Sequence, residues 1–232
     1  MSQPILIDFF QEIPDRQEGD SPRRWAQRFQ AGLEKFKLAV KERYCEGTLE
    51  RLLSSSSAQV RQAATLALGM IGSPEINKPL AAMLHDEHAL VRQVASDALW
   101  SLWFRASTPE NNRELQRLMR LKPDEVGSEP ILRGYQALID KAPKFAEAYN
   151  QRAILYFRLG DLGGAIADCT QALRLNPYHF GAASGMAQCY MKQKKLRAAL
   201  RSYRRAHRIN PNLDGVDEVI QSLERMLGEE RK

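Results

Sequence analysis

Two clusters in this chain carry residue types capable of chemistry. His85-Asp86-Glu87-His88 sets four metal-ligating side chains in succession. The run reads as a loop, where no helix face orients the imidazoles. Structural zinc takes four ligands, and no partner from elsewhere in the chain is evident. It is therefore read as a polar turn, with no metal or other cofactor assigned. The second cluster is Arg197, Arg201, Arg204, Arg205 and Arg208, at i, i+4, i+7, i+8 and i+11. These form one face of a helix, opposite Ala199, Leu200, Tyr203 and Ala206. Like charges at i, i+4 cost a few tenths of a kcal/mol per pair. An acidic partner, nucleic acid, or the acids Asp217, Glu218 and Glu224 would offset that cost. A solvated face neutralised within the chain fits equally well. No aromatic residue interleaves on the stripe, which weakens the nucleic-acid reading. Phosphate-cradling glycine loops, nucleophile motifs and cysteine pairs at metal spacing are absent from the sequence, so no catalytic residue is assigned and the chain is read as no enzyme.

The 232 residues carry a formal net charge of +6, unevenly spread. Eight Lys/Arg and no Asp/Glu fall between Lys192 and Arg208, and the remainder is slightly acidic. Three cysteines, Cys45, Cys169 and Cys189, cannot build a disulfide framework, which fits a reduced cytoplasmic setting. No apolar run approaches the roughly 18 residues of a membrane span. Met1–Phe10 lacks a basic start and carries Asp8, so it does not read as a signal peptide.

The basic stripe needs a helix, and the chain supplies helices in repeats. Pro143, Pro177 and Pro211 stand 34 residues apart, as do Tyr135, Cys169 and Tyr203. Such a period marks stacked helix–turn–helix units. The first copy places Tyr149, Arg152, Ala153, Tyr156, Ala165, Cys169 and Pro177. The second places Ala183, Met186, Ala187, Tyr190, Ala199, Tyr203 and Pro211. This pattern resembles the tetratricopeptide repeat, a family that holds peptides or proteins in a concave groove. The resemblance implies a binding module with a protein or peptide partner. It assigns to the groove Asn150, Ile154, Phe157 and Arg158 from the first copy, and Ser184, Gln188, Met191 and Lys192 from the second. Ile154 and Gly185 stand where members that clamp a C-terminal carboxylate carry Asn, so that mode is not expected. The segment 1–10 is an alternative occupant of the groove.

A second period, of 31 residues, spans 47–106. Ala58–Leu68 and Ala89–Leu99 agree at seven of eleven positions, and Leu49 and Leu53 align with Leu80 and Leu84. The motif Val60-Arg61-Gln62-Ala63-Ala64 with Leu66–Gly72 resembles the short HEAT repeat, also found in bilin-lyase-type proteins; a lyase activity would rest on fold alone. The resemblance implies that Asp86 pairs with Arg61 or Arg92, with Ser55 at the matching place of the first unit. Ala63, Ala64 and Ala67 allow close helix approach, and Gly69, Gly72 and Pro74 are expected to end the helix.

The expected fold is an all-α solenoid, a right-handed stack of helical hairpins. Its parts are an N-terminal segment and capping helix (1–46), HEAT-like units (47–121), tetratricopeptide-like units (131–213) and a C-terminal capping helix and tail (214–232). Ile5–Phe10 either covers a groove or packs on the first helices. Ser21-Pro22 starts a helix, Asn111–Leu121 forms another, and Lys122–Pro130 reads as a linker. At least two of Trp100, Trp103 and Phe104 are expected to be mostly buried against 108–140. Residues 229–232 are expected to fray. The function read from this is a non-enzymatic adaptor bringing proteins together; a binder of acidic partners or nucleic acid through 195–208 is the alternative.

Overall fold

The computed structural model describes residues 4–229. Among these lie fourteen α-helices, two 3-10 turns and no strand, as the two periods require. The fraying expected at the C-terminus lies largely outside the described residues. Contacts divide the chain into two compact units, Met1–Leu102 and Trp103–Lys232.

In the first unit, α1 (Ile5–Gln11) packs against α2 (Pro22–Arg43) and α4 (Ala58–Ile71). Leu6 and Ile7 are wholly buried there, and the Leu6 N–H donates to the Tyr44 hydroxyl at 2.9 Å. The apolar start of the chain is thus spent on the first helices. Helix α2 begins where Ser21 accepts from the Arg24 N–H, with Pro22 at its first position. Helix α3 (Glu46–Leu52) precedes α4, and α5 (Asn77–Ala82) precedes α6 (Ala89–Phe104), whose last two residues belong to the second unit. Leu49, Leu53, Leu80 and Leu84, equivalent in the 31-residue phase, are all buried. Gly69 does not end α4 as expected. It lies within the helix, where a Cβ would stand 2.5 Å from that of Ala98. Its missing side chain lets α4 and α6 meet, and Gly72 is the residue that closes the helix.

The Asp86 ladder resolves in favour of Arg61. The Arg61 guanidinium donates to both Asp86 oxygens, at 2.6 and 2.9 Å, and to the Ser55 carbonyl at 2.8 Å. Arg92 instead donates to the carbonyls of Asp86 and Glu87. The Asp86 carboxylate within the His85–His88 run is thus held by Arg61. No group of three or more His, Cys, Asp or Glu side chains is arranged to hold a metal among the described residues.

The second unit continues with α7 (Pro109–Arg120), started by Thr108, whose hydroxyl accepts from the Asn111 N–H. The segment read as linker forms a helical turn, α8 (Pro123–Val126), stopped by Gly127 at φ +79°. There follow α9 (Ser128–Lys141), α10 (Ala146–Leu159), α11 (Leu162–Leu175), α12 (Phe180–Lys192), α13 (Leu196–Ile209) and α14 (Val216–Glu229). Successive helices pack on one another from α9 to α14. Ala153, Cys169, Ala172, Ala182, Ala183 and Ala206 form one tightly approached core of small side chains. Burial pushes the Cys169 thiol up to about 12 and raises that of Cys189, so both behave as core residues, as the sequence suggests.

The Arg61–Asp86 pair makes stability in the first unit sensitive to acid. Hydrogen bonding from Arg61 is the main cause holding the Asp86 carboxyl below its ordinary range. Its side chain is only 5 % exposed. The stabilisation is complete above the unfolded pKa of about 3.9 and is lost as pH falls through the lowered native value. Asp86→Asn should lower unfolding free energy at pH 7, by roughly 3–5 kcal/mol for a buried pair broken on one side. The difference from the parent should shrink below about pH 4. Urea unfolding at pH 7, 5 and 3 measures both; a pH-independent difference would show that the carboxylate is not coupled to folding.

Candidate functional site

The helices α10 and α12 lie side by side and carry all eight residues assigned to the groove. The structure brings two of them together directly. The Lys192 ammonium lies 4.1 Å from the centre of the Phe157 ring, a cation–π contact between neighbouring copies. Ile154, Arg158, Gln188 and Lys192 are exposed, while Phe157, Ser184 and Met191 are half-buried. Asn150 is different. It is 3 % exposed, and its amide donates to Glu147 Oε1 at 3.0 Å.

That bond belongs to a buried network that sequence reasoning missed. Glu147 and His179 are both fully buried, with His179 Nε2 2.8 Å from Glu147 Oε2. The other ring nitrogen, Nδ1, accepts from the Ala182 N–H and so caps α12. Nε2 therefore carries the proton and donates it to the carboxylate. Gln151 donates to Glu147 Oε1 at 2.6 Å, the same oxygen that accepts from Asn150. Trp103 stacks on the His179 ring, with centroids 4.3 Å apart, and lies 5.0 Å from Phe180. One signal could have found it. His179 stands 34 residues after Phe145, so a polar ring occupies the place of a buried phenyl.

A second buried pair ties α10 to α11. Arg152 donates to both oxygens of Asp168, at 2.7 and 2.8 Å, and to Gln136 on α9 at 2.6 Å. The rings of Tyr149 and Tyr156 lie 5.9 and 5.8 Å from its guanidinium. Both networks lie within the stacked helices, where Arg152 ties α10 to α11 and Glu147 ties α10 to the start of α12.

The arginine stripe lies on α13 facing α14. Arg204 pairs with Glu224 at 2.7 Å, and His207 lies 3.1 Å from Asp217. Acids of the last helix thus offset part of the charge. Arg197, Arg201 and Arg208 are exposed and Arg205 is half-buried.

Family models agree with this layout. A model of HEAT repeats matches residues 40–129, and tetratricopeptide models match 146–179 and 181–213. The chain carries HEAT repeats followed by two tetratricopeptide repeats. A tetratricopeptide repeat-containing protein of Rhizobium etli is 33% identical over 87 residues, covering 38% of this chain and 41% of that protein. A homologue of DnaJ subfamily C member 7 in Dictyostelium discoideum is 35% identical over 66 residues, 28% of this chain and 12% of its own length. The chain thus spans less than half of these relatives. Among solved structures, the first tetratricopeptide domain of Spaghetti (RPAP3), bound to an HSP90 peptide, is 21% identical at TM-score 0.47. It covers 53% of this chain and 96% of the solved one.

The tetratricopeptide repeats extend the expected aromatic seam in an unexpected direction. Of Trp100, Trp103 and Phe104, Trp103 is the most buried, at 3 % exposed. The other two are half-buried. Phe104 packs on the cluster of Leu115, Leu118 and Ile131 as foreseen. Trp103 also stacks on the imidazole of His179 and meets Phe180, at the start of α12. Trp103→Ala should destabilise the second unit by roughly 3–5 kcal/mol, the range for large aromatic truncations. Denaturant unfolding measures it, and a loss under about 1 kcal/mol would show that the stack contributes little.

Proposed function

We propose that this chain is a non-enzymatic adaptor whose tetratricopeptide repeats hold a peptide segment of a partner protein. The observation that carries this reading is the side-by-side placement of α10 and α12, with Phe157 and Lys192 in contact across them. Repeats of this kind stack to make extended binding faces. Phe157, Met191 and Ile154 supply apolar area for one or two anchoring side chains. Arg158 and Lys192 supply cations at the rim, suited to a segment that also carries acid groups. Asn150 serves beneath this face, through Glu147, rather than on it. Ile154 and Gly185 leave no pair of amides for clamping a terminal carboxylate, so an internal segment suits the face better than a chain end.

The site is proposed within a four-part chain: a capping segment to 46, HEAT repeats, tetratricopeptide repeats from 131, and a capping helix from 214. The three free cysteines support a reducing, cytoplasmic setting. Among the described residues no helix is long and apolar enough to cross a membrane. Basic residues on α13 favour acidic partners over neutral ones.

Anchors in such grooves commonly cost more than 1 kcal/mol when truncated. Phe157→Ala should therefore weaken capture of the partner at least fivefold, about 1 kcal/mol, with circular dichroism unchanged. Quantitative mass spectrometry of proteins retained from the native cell by immobilised parent and variant measures this. An identical retained set for both would remove the concave face from the binding reaction.

A further inference from the structure

The seam between α13 and α14 is lined mostly by cations. A cleft of ≈ 640 Å³ runs between the two helices, lined by Arg201, Arg204, Arg208 and His207 on one side and by Asp217 and Ile220 on the other. A smaller cleft of ≈ 390 Å³ continues past Arg201, lined by Lys194, Lys195, Arg197 and Leu227. Arg201 lines both, so they form one track. Six permanent cations line it against a single carboxylate, Asp217. Arg204 is held by Glu224 at 2.7 Å. Among the described residues, Arg201 and Arg208 carry no ion pair, and both are exposed. The charge is concentrated along a shallow, open track that also holds aliphatic side chains.

We infer that this track binds an extended acidic peptide segment carrying aliphatic side chains. Three features choose this occupant. Arginine forks match carboxylates bidentately, and four of the six cations are arginines. Ile220 and Leu227 offer aliphatic contacts at two points along the track, where a peptide places alternate side chains. The length also fits. The 14 residues of α13 run about 21 Å, the reach of roughly six extended residues. Nucleic acid fits less well, because neither cleft is lined by a Phe, Tyr or Trp ring, and the one imidazole, His207, lies 3.1 Å from Asp217. Glu224 acts as an internal competitor: while it holds Arg204, the incoming acid must displace it.

This inference stands apart from the concave-face reading, and one titration separates them. The probe is a fluorescein-labelled peptide of alternating Glu-Asp-Leu triplets, six residues long, amidated at its C-terminus so that no terminal carboxylate contributes. Fluorescence anisotropy is followed with purified full chain. Arg201→Glu with Arg208→Glu should weaken binding at least tenfold. Glu224→Gln, which frees Arg204, should tighten it about threefold. Phe157→Ala should leave it unchanged. A labelled oligothymidylate of equal charge should bind more weakly than the peptide at each salt concentration. Equal binding by the double variant and the parent would overturn the proposal. So would preference for the oligonucleotide with a steep salt dependence, which marks phosphate contacts. Loss of the peptide with Phe157→Ala would move the binding to the concave face and overturn it as well.

Discussion

Everything in this chain depends on one constraint: a single two-helix unit cannot bury its own apolar face. Each unit must lend a surface to the next, and the closer the backbones approach, the more of that surface leaves water. Small residues set the approach. Gly69 against Ala98 does so in the first unit, and the alanines of α10 to α13 do so in the second. Larger side chains then fill what remains at the edges, as Leu49 and Leu80 do beneath α4 and α6. A methyl added at Gly69 would meet the backbone of α6, so the residue that seems to end a helix in fact permits a helix crossing.

Buried polar pairs fix the register that small residues alone would leave loose. Alanine faces are smooth and offer little to distinguish one offset from another. Arg61 with Asp86, Arg152 with Asp168, and His179 with Glu147 each satisfy their hydrogen bonds at one offset only. A slip of one turn would strand a charge in the interior, where the penalty is several kcal/mol per ion. In the second copy the places of Arg152 and Asp168 are taken by Met186 and Ser202, so there the register rests on packing. The first copy, which faces α9 through Gln136, has the charged pair.

The two surfaces proposed for partners differ in physics. The pair α10 and α12 offers mixed apolar and cationic area with Lys192 laid over Phe157. The α13–α14 seam offers mostly charge, partly balanced by the molecule's own acids. Association through the first should depend on shape and apolar anchors, and association through the second on field and salt.

The helical repeats were legible because periodicity is a local property. Prolines and tyrosines at intervals of 34, and Val60-Arg61 echoed by Val91-Arg92, specify helix, turn and inward face without knowledge of neighbours. The stripe on α13 was legible for the same reason. Backbone shape even outlasts residue identity: Lys194 takes the left-handed turn that Gly160 occupies 34 residues earlier, at φ 58° against 83°. What the tertiary structure decided was partnership. Whether Asp86 meets Arg61 or Arg92, whether Asn150 looks into the groove or beneath it, and that Trp103 finds His179 to stack upon depend on distances between segments far apart in sequence. Each side chain's spacing was compatible with several partners. Only the packed chain, in which a buried polar group must find its hydrogen bond and a flat ring its flat neighbour, selects one.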